Sequence, residues 1–191
     1  LDFGVAFDGD ADRAVFIDDV GKVVSGSMMT TLIADYLSEK NDNLKVVYNV
    51  NVSPHALSIL KSKGVSLFRC KVGHSNIKAL MKKLEADFGG EHSAHFYYKD
   101  NYFADSAILT LLMLMSIVSE RGEKVSSMID KYNFPPSSGE INFTVENVNI
   151  SLDKIKTVFS GNFDELDGLS YFDENFWFNV RGSNTEPKLR V

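Results

Sequence analysis

Leu44-Lys45-Val46-Val47-Tyr48-Asn49-Val50, then Ser53-Pro54, then Gly64, then Val65-Ser66-Leu67-Phe68-Arg69-Cys70: read in this order, the residues describe one structural unit. The first run is apolar and β-branched, the composition of a strand covered on both faces. Ser53 suits the cap of a helix, and Pro54 the first helical position, where a missing N–H is no loss. Gly64 falls where a helix end favours a left-handed residue, and Val65 to Cys70 starts a second strand. A strand, a helix and a strand in so short a span make a βαβ unit with parallel strands. The pattern continues through the loop Lys71-Val72-Gly73-His74 into a helix capped by Ser75, with Ile77, Leu80, Met81 and Leu84 on one face. The expected class is α/β, a parallel or mixed sheet with ligands beyond the C-terminal ends of its strands, where the loops 8–13, 71–74 and 89–95 would lie.

Toward the N-terminus, Phe3, Val5 and Phe7 alternate with small residues. Asp8-Gly9-Asp10-Ala11-Asp12-Arg13 interrupts them, and Ala14-Val15-Phe16-Ile17 resumes. This reads as strand, acidic loop, strand. Asp18-Asp19-Val20-Gly21 is a turn, and Ser27 is positioned to cap a helix carrying Met29, Leu32, Ile33, Tyr36 and Leu37. Toward the C-terminus, Ala104 to Glu120 is apolar all round, which predicts a central buried helix. Asn133-Phe134-Pro135-Pro136-Ser137-Ser138-Gly139 has the composition of a linker. Beyond it the pattern predicts a smaller α+β domain, with one helix from Ser151 to about Phe159.

With 44% hydrophobic and 24% charged residues, the 191-residue chain is not a disordered one. A net charge of −6 argues against a surface that tracks nucleic acid, and the apolar run Ala107 to Val118 is too short to span a bilayer. One cysteine, Cys70, forms no internal disulfide; it suits a reducing compartment and reads as a small buried residue at a strand end. The chain begins with Leu1 inside a strand-like run rather than a leader peptide, and is expected to be a fragment of a longer protein.

Three segments have residue types suited to chemistry. Asp8, Asp10 and Asp12 alternate in a glycine-containing turn, so three hard oxygen ligands can converge on Mg²⁺ or Ca²⁺. An EF-hand is disfavoured, because its required glycine is Arg13 and strands flank the loop. Arg13 offsets part of the carboxylate repulsion or holds a phosphate. Gly89-Gly90-Glu91-His92-Ser93-Ala94-His95 is either a solvated polar loop or one whose glycines bring its backbone close to a polyhydroxylated ligand; it lacks the metalloprotease spacing. Arg181-Gly182-Ser183-Asn184-Thr185-Glu186-Pro187 is a phosphate cradle or an ordinary turn, and His74 a helix-start histidine or an acid/base group.

Taken in order, Asp8-Gly9-Asp10-Ala11-Asp12-Arg13, Lys71-Val72-Gly73-His74, Gly90-Glu91-His92-Ser93-Ala94-His95 and Arg181-Gly182-Ser183-Asn184-Thr185-Glu186-Pro187 resemble the α-D-phosphohexomutases, most closely the phosphomannomutase/phosphoglucomutase type. The resemblance covers essentially the whole chain. It implies that residues 1–22 end a second domain carrying the metal loop, that 23–133 form a third, α/β domain, and that 134–191 form most of a fourth. The serine that carries the phosphoryl group would lie outside the chain, in missing N-terminal domains that act as its partners.

The implied reaction interconverts the 6- and 1-phosphates of mannose or glucose through a glucose or mannose 1,6-bisphosphate. Mg²⁺ would sit on Asp8, Asp10 and Asp12, with His74 the candidate acid/base and Arg13 a second catalytic residue. Glu91, Ser93 and His95 would bind the sugar, and Arg181, Ser183, Asn184 and Thr185 the phosphate. The fragment alone is expected to be inactive, and the enzyme cytoplasmic. Two departures stand out: Asn51 falls where such enzymes often carry Lys, and Ala94 where they often carry Gly. The alternatives are a non-catalytic sugar-phosphate-binding module and a Mg²⁺-dependent phosphatase with Asp8 as nucleophile, which leaves the other loops without a role.

Overall fold

The computed structural model describes every residue except 160, 162 and 184–187. Contacts divide the chain into two compact units, Leu1–Pro135 and Pro136–Val191.

The larger unit opens with β1 (Phe3–Phe7), β2 (Ala14–Asp18) and β3 (Val23–Val24), an antiparallel sheet in that order. Its alternation places Ala14 and Phe16 in the core while Val15 and Ile17 face outward. Then come α1 (Gly26–Ser38), β4 (Lys45–Asn49), α2 (Pro54–Ser62), β5 (Ser66–Cys70), α3 (His74–Leu84), β6 (Phe88–Gly90), β7 (Phe96–Tyr98) and β8 (Ala104–Asp105). Two helices close the unit, α4 (Ala107–Arg121) and α5 (Val125–Asp130). The second sheet runs β5-β4-β6-β7-β8 and is mixed: β4 is parallel to β5 and to β6, while β7 and β8 continue antiparallel. Its main core joins Val46, Phe88 and Phe96 to Met29, Leu32 and Ile33 of α1, Leu60 of α2, and Leu114 and Ile117 of α4. A smaller cluster packs Val47 and Tyr97 against Ile77 and Met81 of α3.

Several local expectations need correction. Ser25, not Ser27, caps α1, its hydroxyl accepting from the Met28 N–H; Ser27 lies one turn-step inside and is buried. The third helix starts at His74 behind Gly73, which takes a φ of 120° that a side chain disfavours, so Ser75 is already helical. The loop at 8–13 joins antiparallel strands of the separate small sheet instead of ending a parallel strand. The apolar run expected as a buried central helix is α4, and it buries one face only; Ile108, Leu112 and Met115 are exposed. A run with so few polar residues over its first three turns carries little periodicity to say which side faces the core.

In the smaller unit, β9 (Asn142–Thr144), α6 (Val148–Val158), β10 (Phe163–Asp164), β11 (Leu169–Phe172), β12 (Trp177–Gly182) and β13 (Lys188–Arg190) give an antiparallel sheet of order β10-β11-β12-β13-β9. Aromatic side chains pack beside the sheet, Phe159 against Tyr171, Phe176 and Phe178. The helix α6 begins before Ser151 because Asn147 caps it, accepting from the Ile150 N–H.

Candidate functional site

The acidic loop closes the β1–β2 hairpin. Ala11 takes a left-handed φ of 59°, and its N–H donates to the Asp8 carbonyl at 3.2 Å. The turn gathers Asp8, Asp10 and Asp12 so that one oxygen of each lies within 4.8 Å of the others. Arg13 turns back onto Asp8, its backbone N–H at 3.2 Å from Oδ1 and its Nε at 2.5 Å from Oδ2. Desolvation pushes the Asp8 carboxyl up, but these Arg13 bonds outweigh it and hold it below the usual range. The Asp12 Oδ1 atom is buried and, among the described residues, has no hydrogen-bond partner. Three hard oxygens with one orphaned acceptor among them fit a small divalent cation.

Glu91 to His95 form a tight turn after β6, with the Glu91 N–H donating to the His95 carbonyl at 3.0 Å and the Ala94 N–H to the Glu91 carbonyl at 3.2 Å. Ala94 occupies the left-handed region at a φ of 69°. The loop is packed from two sides. The Ala14 N–H donates to the Ala94 carbonyl at 3.2 Å, fastening the loop to the hairpin. On the other side α1 begins so close that a Cβ on Gly26 would stand 2.3 Å from the His92 carbonyl oxygen. Ser27 completes that side: its hydroxyl bonds His92 Nδ1 at 2.9 Å and accepts from the Ser53 N–H at 3.1 Å. Helix packing, not ligand approach, explains Gly90, where a methyl would lie 2.2 Å from Thr30 Oγ1.

Glu91 is the hub. Its Oε1 accepts from Asn49 Nδ2 at 3.1 Å and from the Gly73 N–H at 3.3 Å, while its Oε2 accepts from the Tyr97 hydroxyl at 3.2 Å. Ser93 Oγ at 3.5 Å and His95 Nδ1 at 3.3 Å also face Oε2. Burial disfavours charge on Glu91, yet His95, Asn49 and the Gly73 N–H prevail and hold its carboxyl below the ordinary value. Burial likewise opposes charge on His95, and the Glu91 carboxylate, followed by Asp12 and Asp105, outweighs it and raises the imidazole. His95 Nε2 stands 3.5 Å from Asp12 Oδ1, so one ring bridges the two loops.

The structure therefore brings Asp8, Asp10, Asp12, Arg13, Glu91, Ser93 and His95 together in the larger unit. His74 is exposed at the start of α3, next to the Gly73 whose N–H holds Glu91. Arg181 is the penultimate residue of β12 in the smaller unit, and the Ser183 N–H donates to the Lys188 carbonyl at 2.8 Å. Asn184 and Thr185 lie outside the described residues. Sequence reasoning missed Asn49, Tyr97 and Ser27. A lone polar Asn49 ending an apolar strand was a usable signal; Tyr97 and Ser27 carry none, since each resembles its neighbours.

A mixed sheet flanked by helices, with an acidic hairpin and a glutamate loop beside it, places the chain among the α/β proteins, and comparison narrows the class. Residues 25–133 match the profile described as phosphoglucomutase/phosphomannomutase, alpha/beta/alpha domain III. The chain belongs to that family. A phosphomannomutase of Methanocaldococcus jannaschii is 38% identical over 191 residues, all of this chain and 42% of that protein. A phosphoglucomutase/phosphomannomutase family protein from Burkholderia thailandensis superposes with a TM-score of 0.86 at 27% identity, covering 98% of this chain and 42% of its own. The fold alone is shared with an Aspergillus fumigatus N-acetylphosphoglucosamine mutase solved with GlcNAc-6P and magnesium, at a TM-score of 0.71 and 15% identity over 97% of this chain and 44% of that one. The chain thus spans well under half the length of these relatives.

Proposed function

We propose that this chain forms the metal-, sugar- and phosphate-binding part of a phosphohexomutase that interconverts the 6- and 1-phosphates of mannose and glucose through a bisphosphorylated sugar. The phosphoserine would come from outside these residues, so the 191-residue chain alone binds sugar phosphate without turning it over. Asp8, Asp10 and Asp12 hold Mg²⁺, which when bound supplies charge neutralisation at the phosphoryl group. Arg13 keeps Asp8 ionised and oriented. Glu91 and Ser93 bind sugar hydroxyls with His95 beside them, and His74 moves the proton at the reacting hydroxyl. In the smaller unit Arg181, Ser183, Asn184 and Thr185 clamp the substrate phosphate. A cytoplasmic setting follows from the same reading.

The observation that carries this reading is the contact between loops distant in sequence: His95 reaches Glu91 with one nitrogen and Asp12 with the other. Isothermal titration of MgCl₂ into the chain and its Asp8→Ala, Asp10→Ala and Asp12→Ala variants tests the metal assignment, with binding expected only in the unsubstituted chain. Equal binding by all four would sink it. Conversion of mannose 1-phosphate by the purified 191-residue chain would refute the proposed division of labour.

A further inference from the structure

Resting on that reading, we propose that Tyr97 is a positioning residue for the hexose-phosphate reaction and that Asn49 is its counterpart on the other oxygen of Glu91. Their shared task is to fix the rotation of the Glu91 carboxylate, so that its remaining acceptor capacity lies on the side of Ser93 and His95.

The argument starts from capacity. A carboxylate offers about four lone-pair sites over its two oxygens. Two donors, Asn49 Nδ2 at 3.1 Å and the Gly73 N–H at 3.3 Å, fill Oε1; the Tyr97 hydroxyl takes one side of Oε2 at 3.2 Å. Among the described residues, the remaining side of Oε2 faces Ser93 Oγ at 3.5 Å and His95 Nδ1 at 3.3 Å, the side on which a sugar hydroxyl would approach.

Tyr97 is built to hold this geometry. It lies on β7, paired with Gly89 of β6 and Asp105 of β8, and its side chain is fully buried. Its ring stacks on His95, with centroids 6.3 Å apart and planes 25° from parallel, so one side chain touches both Glu91 and His95. Lys78 lies near the ring, its Nζ 5.6 Å from the centroid, and pairs with Asp105 at 2.7 Å. Burial and the Glu91 charge keep the phenol protonated, hence always a donor. Asn49, also buried, is oriented in turn: its Oδ1 accepts from the Asn51 N–H at 3.1 Å, which aims Nδ2 at Glu91.

The test is a double-mutant cycle in the complete enzyme, with kcat and KM measured for glucose 1-phosphate and mannose 1-phosphate. Tyr97→Phe removes one oxygen and is expected to lower kcat/KM about ten- to a hundredfold for both sugars, the size of a lost hydrogen bond to a charged group. In a Glu91→Gln background the same change should cost less than about twofold, because the group it orients is gone. An equal factor in both backgrounds, or no loss in the single variant, overturns the inference while leaving the sugar-loop reading intact. A Glu91→Gln enzyme with unchanged kinetics overturns that reading and the inference with it. If Tyr97→Phe does not fold, Asn49→Ser takes its place in the same cycle, with the same expected and overturning outcomes.

Discussion

Glu91 and Asp35 are both buried carboxylates of the larger unit, 2% and 3% exposed, and both stay ionised, yet their surroundings differ in kind. Around Asp35 the partners include full cations: Lys63 at the end of α2 bonds Oδ1, and Arg121 at the end of α4 lies 3.5 Å from Oδ2. Tyr132 adds a hydroxyl to Oδ2 at 2.6 Å. Burial raises the Asp35 carboxyl, but the Lys63 and Tyr132 bonds with the Lys63 and Arg121 charges bring it below the ordinary value. Glu91 meets an amide, a backbone N–H, a phenol and a histidine. The first arrangement neutralises a charge with cations and ties the helix ends together; the second orients a charge with mostly neutral donors from several elements. Burial alone therefore does not distinguish the two carboxylates; the donor set does.

Breaking the packing of the Glu91 end should have the largest effect. Gly26→Ala puts a methyl 2.3 Å from a backbone oxygen of the 91–95 loop, where no side chain can swing aside. A loss of about 3 kcal/mol in urea unfolding is expected, at the upper end for overpacking. Beyond the end of α2, Gly64→Ala meets nothing within 4 Å at a φ of 79° and should cost only about 1 kcal/mol of left-handed strain. Equal losses at the two glycines would mean that the 91–95 loop yields to α1.

Removing the charge at the other end should come next. Asp35→Asn leaves Lys63 and Arg121 without their shared anion. Because the Lys63 side chain keeps 41% exposure, about 2 kcal/mol is expected, below the roughly 3–5 kcal/mol of a fully buried pair. The sign with pH follows from the depressed native value. The carboxylate contributes its stability above the unfolded value of about 4 and loses it as pH falls through the native one. Unfolding curves should therefore show a constant gap between parent and Asp35→Asn above about pH 5 that closes in acid. A gap that widened in acid would show that Asp35 is not held ionised.

The smallest effect sharpens the comparison inside the 91–95 loop. Ala94→Gly relieves about 1 kcal/mol of left-handed strain but removes a buried methyl and loosens the unfolded chain, each worth a similar amount. The net change should stay within about 1 kcal/mol. Destabilisation beyond 2 kcal/mol in calorimetry would show that the methyl, which sits in the main core, outweighs the backbone strain.

Local chemistry explains which parts were legible. The strands β4 and β5, the helix begun by Pro54 and the acidic hairpin each follow from neighbours in the chain: branched apolar runs, a proline without an N–H, carboxylates at alternate positions. Cap positions were less legible, since Ser25 and Ser27 are chemically alike and only the backbone path decides which hydroxyl meets the free N–H groups. The orientation of α4 was illegible, because a helix with apolar residues on every side and few polar ones between them has no clear preferred face until the sheet and hairpin take one.

The sequence by itself determined a mixed α/β fold and an ordered set of motifs that marks the family. Only the tertiary structure decided that Glu91 is held by Asn49 of β4, Gly73 before α3 and Tyr97 of β7, and that His95 joins it to Asp12. The physical reason is that hydrogen bonds between side chains of different elements, 6 residues apart for Tyr97 or 42 for Asn49, leave no periodic trace, and a buried donor is recognised only when its acceptor is in place.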